Sequence, residues 1–117
     1  MGHPGPRSMT TVKHLAELNG FSDEKLQKHN VFKTERFFLD VYCLRPGQAQ
    51  KPHAHEGADK VYVVLEGTCR FTVGDQTVEQ GAGVAILAPS GVQHGVENTS
   101  NDNARLLVMM SPPPPHA

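Results

Sequence analysis

Between Val31 and Met110, apolar and polar positions alternate with a period of two, in short runs cut by Gly, Pro, Asn or Asp. That period lines one face of an extended strand with apolar side chains, whereas the face of a helix repeats every third or fourth residue. Phe37, Leu39, Val41 and Cys43 alternate with Phe38, Asp40, Tyr42 and Leu44, which predicts a strand with one face buried and the other partly so. Arg45-Pro46-Gly47 ends it. The β-branched run Val61 to Leu65 stops at Glu66-Gly67, and Arg70 to Val73 follows before Gly74-Asp75, a pattern that reads as a hairpin. Thr77 to Glu79, Val84 to Leu87, Val92 to Val96 and Arg105 to Met110 continue the series. Ahead of the strands the residues predict one short helix, with Ser22 as N-cap, Asp23 and Glu24 in the first turn and Leu26 to His29 completing it. Many short, evenly spaced strands predict an all-β sandwich or barrel with a short N-terminal helical arm.

The chain divides into an arm (residues 1–30), a barrel (31–111) and a Pro-rich tail (112–117). Its first eight residues, MGHPGPRS, read as an added segment before a natural start at Met9-Thr10-Thr11 and receive no functional weight. The tail from Ser111 reads as polyproline II, which cannot join a sheet interior. At 117 residues this is one domain, able to bury a core without disulfide staples. A formal charge of -1 offers no basic stripe for nucleic acid and no acidic tail. No apolar stretch approaches the roughly 18 residues that a spanning helix needs, and no signal-peptide core is visible, so the expectation is a soluble, cytoplasmic protein. Cys43 and Cys69 then read as small buried hydrophobes, reduced and unbridged.

Two histidine clusters carry the chemistry. His53 and His55 stand in Gly47-x5-His53-x-His55, and a His-x-His pair shares one face only when the chain is extended. His94 lies about forty residues on, in Gly83-x5-Pro89-x-Gly91-x2-His94-x3-Asn98. Three imidazoles brought together in a strand-rich fold read as a metal site. His3, His14, His29 and His116 have no spacing relation to that cluster and read as surface residues.

The run PGQAQKPHAHEGADKVYVVLEG resembles the first motif of the cupin family, and GVAILAPSGVQHGVEN matches the second at Gly83, Pro89, Gly91, His94 and Asn98. The resemblance covers Val31 to Ser111. It implies a double-stranded β-helix, a jelly-roll barrel of two antiparallel sheets that holds a metal or ligand inside. It also implies a homodimer, because cupins of this kind often exchange terminal strands; Met9 to His29 is the segment placed for that. Where the first motif usually carries a Glu ligand, this chain has Lys60. Asp59 has suitable chemistry for a fourth ligand but the opposite strand parity unless a β-bulge intervenes, and Glu56 lies in the loop after His55. The ligand set implied is therefore His53, His55 and His94 around a divalent transition metal (Fe, Mn, Ni or Zn), with the other positions open.

Three neutral imidazoles leave the ion's charge uncompensated, so a small anionic ligand is expected. Lys60 is the candidate catalytic amine or base, although a lysine at a strand end is more often solvated. Tyr62 shares its parity and could donate a hydrogen bond at the site or simply fill the core. Tyr62, Val64, Val92 and Val96 are the expected inward wall of the pocket. Gly47, Gly67, Gly83 and Gly91 suit turns, and Asn98 suits the satisfaction of backbone groups. Three function classes follow. They are a metal-dependent enzyme, with a dioxygenase ahead of isomerases or lyases; a non-catalytic binding or sensing barrel; and a structural zinc barrel, which three ligands leave short of closure.

Overall fold

The computed structural model describes residues 11–113. Among them, nine strands form two antiparallel sheets: β1 (Gln27–Lys33), β2 (Phe38–Leu44), β3 (Ala49–His53), β4 (Asp59–Glu66), β5 (Thr68–Val73), β6 (Gln76–Gly81), β7 (Ala85–Ala88), β8 (His94–Glu97) and β9 (Ala104–Ser111). The five-stranded sheet runs β1-β2-β9-β4-β7 and the four-stranded sheet β3-β8-β5-β6. The alternation predicts a sandwich or barrel, and the two sheets form the jelly roll that the resemblance to cupins implies. The core between the sheets comprises Tyr42, Leu44, Tyr62, Val64, Phe71 and Leu106 with their neighbours, all buried. Cys43 and Cys69 are free and buried, as expected.

Two predicted elements differ. The helix after Ser22 is absent. Ser22 does cap a turn, its Oγ accepting the Glu24 N–H at 3.1 Å, but the chain is already in β1 by Gln27. There half-buried Gln27 and His29 and buried Val31 alternate with exposed Lys28 and Asn30, a period of two that pairing with β2 reinforces. Two unsupported helical turns cannot compete with a strand that gains a whole ladder of partners. The helical content of the described arm is a single 3-10 turn, Leu15–Glu17. The expected hairpin is also rearranged, because β4 and β5 lie in different sheets. The hairpin is β5 with β6, closed around Gly74-Asp75 with Val73 opposite Gln76. Between β4 and β5 the chain changes sheets at Gly67 (φ 79°), where an added Cβ would lie 2.6 Å from the Asn103 carbonyl oxygen.

Strand β2 is buried on both faces. Tyr42 and Leu44 point into the core, while Val41 and Cys43 lie under the arm, packed with Val31 against Leu15, Leu18 and Phe21. Arg105 fastens this cover: its guanidinium donates to the carbonyls of Leu15 and Leu18 and to Glu66. His29, expected at the surface, is half-buried, with Nε2 2.7 Å from the Gly20 carbonyl oxygen. His3, His116 and most of the Pro-rich tail lie outside the described residues.

Candidate metal centre and its cavity

Strands β3 and β8 pair so that His53 stands directly opposite His94. Strand β3 is an edge strand, which is why it tolerates Pro52 in its ladder. Close pairing also requires Gly95, where a Cβ would sit 2.8 Å from the Gln50 carbonyl oxygen. His55 comes from the loop between β3 and β4. That loop and the first residue of β4 are tied to the loop carrying Pro89 and Gly91 by three contacts: Gly91 N–H to the His55 carbonyl (3.0 Å), Gly57 N–H to Ser90 Oγ (2.8 Å), and Ser90 N–H to Asp59 Oδ1 (2.9 Å). The second motif therefore holds the first in place.

The three rings meet. Their centroids are 4.5 Å apart for His53 and His94, 4.7 Å for His53 and His55, and 5.8 Å for His55 and His94, and one nitrogen from each lies within 4.8 Å of the others. His53 Nδ1 is 2.9 Å from the Lys51 carbonyl and His94 Nδ1 is 3.0 Å from the Val92 carbonyl. Each neutral ring then donates its Nδ1–H to the backbone and turns the Nε2 lone pair inward, the arrangement that orients metal-ligating imidazoles. His94 Nε2 is buried with no hydrogen-bond partner, an orphan that a divalent ion would satisfy. Burial holds all three rings below the usual histidine pKa, His94 down to about 4, so they are neutral at physiological pH, as ligation requires. The donor set fits a divalent transition metal.

Asp59 and Glu56 stand apart from this group. Both are exposed; the Asp59 carboxylate is engaged by the Ser90 N–H, and Glu56 lies beside Gly91. Strand β4 keeps regular parity here, with Lys60, Tyr62 and Val64 buried and Asp59 outside. Asn98 acts as expected on the backbone, donating to the Leu44 and Asp102 carbonyls and accepting from the Ser100 N–H.

Lys60 is not the solvated strand-end lysine of the generic expectation. It is 1% exposed, its Nζ donating to Gln50 Oε1 at 3.0 Å and lying 5.6 Å and 5.0 Å from the ring centres of Tyr42 and Tyr62. Burial first, and Lys28 second, lower its pKa to about 7 against the opposing pull of Asp40. Beside it opens a cavity of about 280 Å³, lined by Lys28, Tyr42, Gln50, His55, Lys60 and Met110 among others. The predicted wall is corrected: Tyr62, Val64 and Val96 pack in the core, and half-buried Val92 sits near Gly74. Tyr62 is fully buried against Phe71 and 6.3 Å, centre to centre, from the His94 ring; its hydroxyl has no partner among the described residues, and burial pushes its pKa up.

Sequence reasoning missed Lys28, Tyr42, Gln50 and Gly95. The inward parity of Tyr42 with Leu44 was available. Gln50 was hidden by the register shift between Gln50 and His53, which breaks the count along β3.

A family model described as the cupin domain matches residues 40–110. The TT1209 protein of Thermus thermophilus, known as a crystal structure, is 46% identical with a TM-score of 0.87, over 90% of this chain and 100% of that one. An oxalate-binding protein of Thermotoga maritima is 33% identical over 108 residues, 88% of each chain. A protein of Mycobacterium tuberculosis named beta-D-galactosidase Rv1717 is 30% identical over 92 residues, 79% of this chain and 78% of its own. Relatives of similar identity thus carry unlike functional names, as expected when one barrel hosts many sites.

Proposed function

The chain belongs to the cupin family, and on that footing we propose that His53, His55 and His94 hold a divalent transition metal at which a small carboxylate is bound and acted on, in the manner of a three-histidine dioxygenase. The observation that carries this reading is the orphaned, buried Nε2 of His94, facing two further imidazoles beside a lysine-lined cavity. Bound there, the metal would supply Lewis-acid or oxygen chemistry. The chain itself supplies neutral ligands that leave the ion's charge available, and three lysines in the cavity wall, Lys28, Lys33 and Lys60, against the single carboxylate of Asp40, which together favour an anion. Lys60 accepts or returns a proton at the substrate, and the aromatic rings around it exclude water.

A second reading is a binding module without turnover, supported by the oxalate-binding relative. An isomerase or lyase with Mn, Ni or Zn differs from the first mainly in the metal. The homodimer expected of the family is part of the proposal, and light scattering on the purified chain tests it.

Metal analysis by plasma mass spectrometry, on protein purified without a nickel column, separates these readings. Stoichiometric iron that falls at least tenfold in His94→Ala, with oxygen uptake on small carboxylates, supports the enzyme. Metal with tight oxalate binding and no turnover supports the module. Lys60→Glu is expected to retain metal and to weaken oxalate by about tenfold or more, since an attractive charge becomes a repulsive one. Unchanged oxalate affinity in calorimetry sinks the anion role of the cavity.

A further inference from the structure

Lys60 has more chemistry than an anion contact requires. A lysine kept for packing would be better served by methionine, and one kept for charge would have a carboxylate. Among the described residues no carboxylate forms an ion pair with it, and Asp40 instead accepts from Asn30 Nδ2 at 3.0 Å. Its hydrogen-bond acceptor is the neutral amide oxygen of Gln50. The amine is held between two aromatic rings, and Lys60 is one of the residues that line the cavity. The ring faces, the Gln50 oxygen and Asp40 favour the ammonium, but burial and the neighbouring Lys28 outweigh them, and a desolvated amine near a second lysine is the usual setting of a carbonyl-condensing lysine.

We infer that Lys60 is a nucleophilic amine that condenses with the carbonyl of a small 2-oxo acid or aldehyde acid in the cavity, forming an imine. The cavity holds about nine water volumes at roughly 30 Å³ each, room for such a molecule with its carboxylate toward Lys28. The Nζ lone pair forms a bond to the carbonyl carbon while the C=O π pair moves to oxygen. One amine proton passes to that oxygen through solvent, giving a carbinolamine. The C–O bond then breaks, the oxygen leaves as water with the second amine proton, and C=N remains. No oxidant or reductant enters. No step of this condensation is routed through the histidine site.

The test treats the full-length protein with glyoxylate and sodium cyanoborohydride, which reduces an imine to a stable secondary amine, and maps the adduct by peptide mass spectrometry. At neutral pH, labelling at Lys60 is expected to exceed the mean of exposed Lys13, Lys25 and Lys51 by about tenfold, because an ordinary lysine is almost wholly protonated there. In the chelator-treated protein its pH profile should be half-maximal near 7. Lys60→Met should lose this excess in the intact mass, and the wild-type peptide map stands alone if that variant does not fold. Even labelling across the lysines, or an unlabelled Lys60, overturns the inference. The same experiment is run with chelator and in His94→Ala: labelling that persists there supports the imine whatever the metal analysis returns, so the two readings fail separately.

Discussion

The molecule buries two cations in opposite ways. Arg105, 5% exposed beneath the arm, meets Glu66 at 2.9 Å and the Leu18 carbonyl at 3.1 Å, with the Leu15 carbonyl as a further acceptor. Lys60, 1% exposed inside the barrel, has one amide oxygen at 3.0 Å and a cavity. The first is satisfied by the fold. The second is left partly unsatisfied, and that deficit is what the proposed imine chemistry would draw on: a group whose charge the protein fully compensates has little reason to bind a ligand or give up a proton. The two buried cations differ in their partners, not in their depth.

Removing each cation should therefore act with opposite sign. Arg105→Ala is expected to destabilise the fold by about 3 kcal/mol in urea titrations, since two carbonyls and the hold on Leu15, Leu18 and Phe21 are lost together. A loss below about 1 kcal/mol would shift the adhesion of the arm to its apolar contacts alone. Lys60→Met should instead stabilise by about 1–2 kcal/mol at pH 7, because a poorly compensated charge is replaced by an apolar chain of similar length. The pH dependence sharpens this. Lys60 titrates near 7 in the fold and near 10.5 unfolded, so the unfolded chain binds more protons between those values. Stability therefore rises with pH through that window, and the full penalty applies below about 7. Melting temperatures of wild type and Lys60→Met should converge toward pH 10; parallel curves would mean that Lys60 is compensated by a group not identified. Glu66→Gln, at an acid whose side chain is 59% exposed, should cost only about 0.5 kcal/mol, as solvent screens the pair from one side.

Much of this was legible in the sequence, for a physical reason. Period-two alternation gives strands their two faces whatever they pair with, so β2, β4 and β9 could be found, and the parity that put Asp59 on the face opposite Lys60 and Tyr62 held along β4. The three histidines were readable because motif spacing fixes their positions. Sheet membership was not: nothing local to Glu66-Gly67 distinguishes a hairpin turn from a change of sheet, which depends on Asn103 and Ala104 approaching from far along the chain. The arm failed similarly, since a capping serine is a local signal and the ladder with β2 is not. The burial of Lys60 escaped because single-residue tendencies place lysine outside, and only the closed barrel, with Tyr42 and Gln50 delivered by other strands, makes an interior position tenable.

One feature of the topology bears on how the site comes into being. Strand β9, the last of the described strands, sits in the middle of the five-stranded sheet, between β2 and β4. During synthesis, every proposed metal ligand emerges from the ribosome before residues 104–111 do, yet β2 and β4 have no shared partner until that strand slides between them. The barrel closes from its end rather than its beginning, through contacts distant in sequence and therefore slow to form. A nascent chain halted after Asn98 would carry all three histidines and both motifs, and no centre.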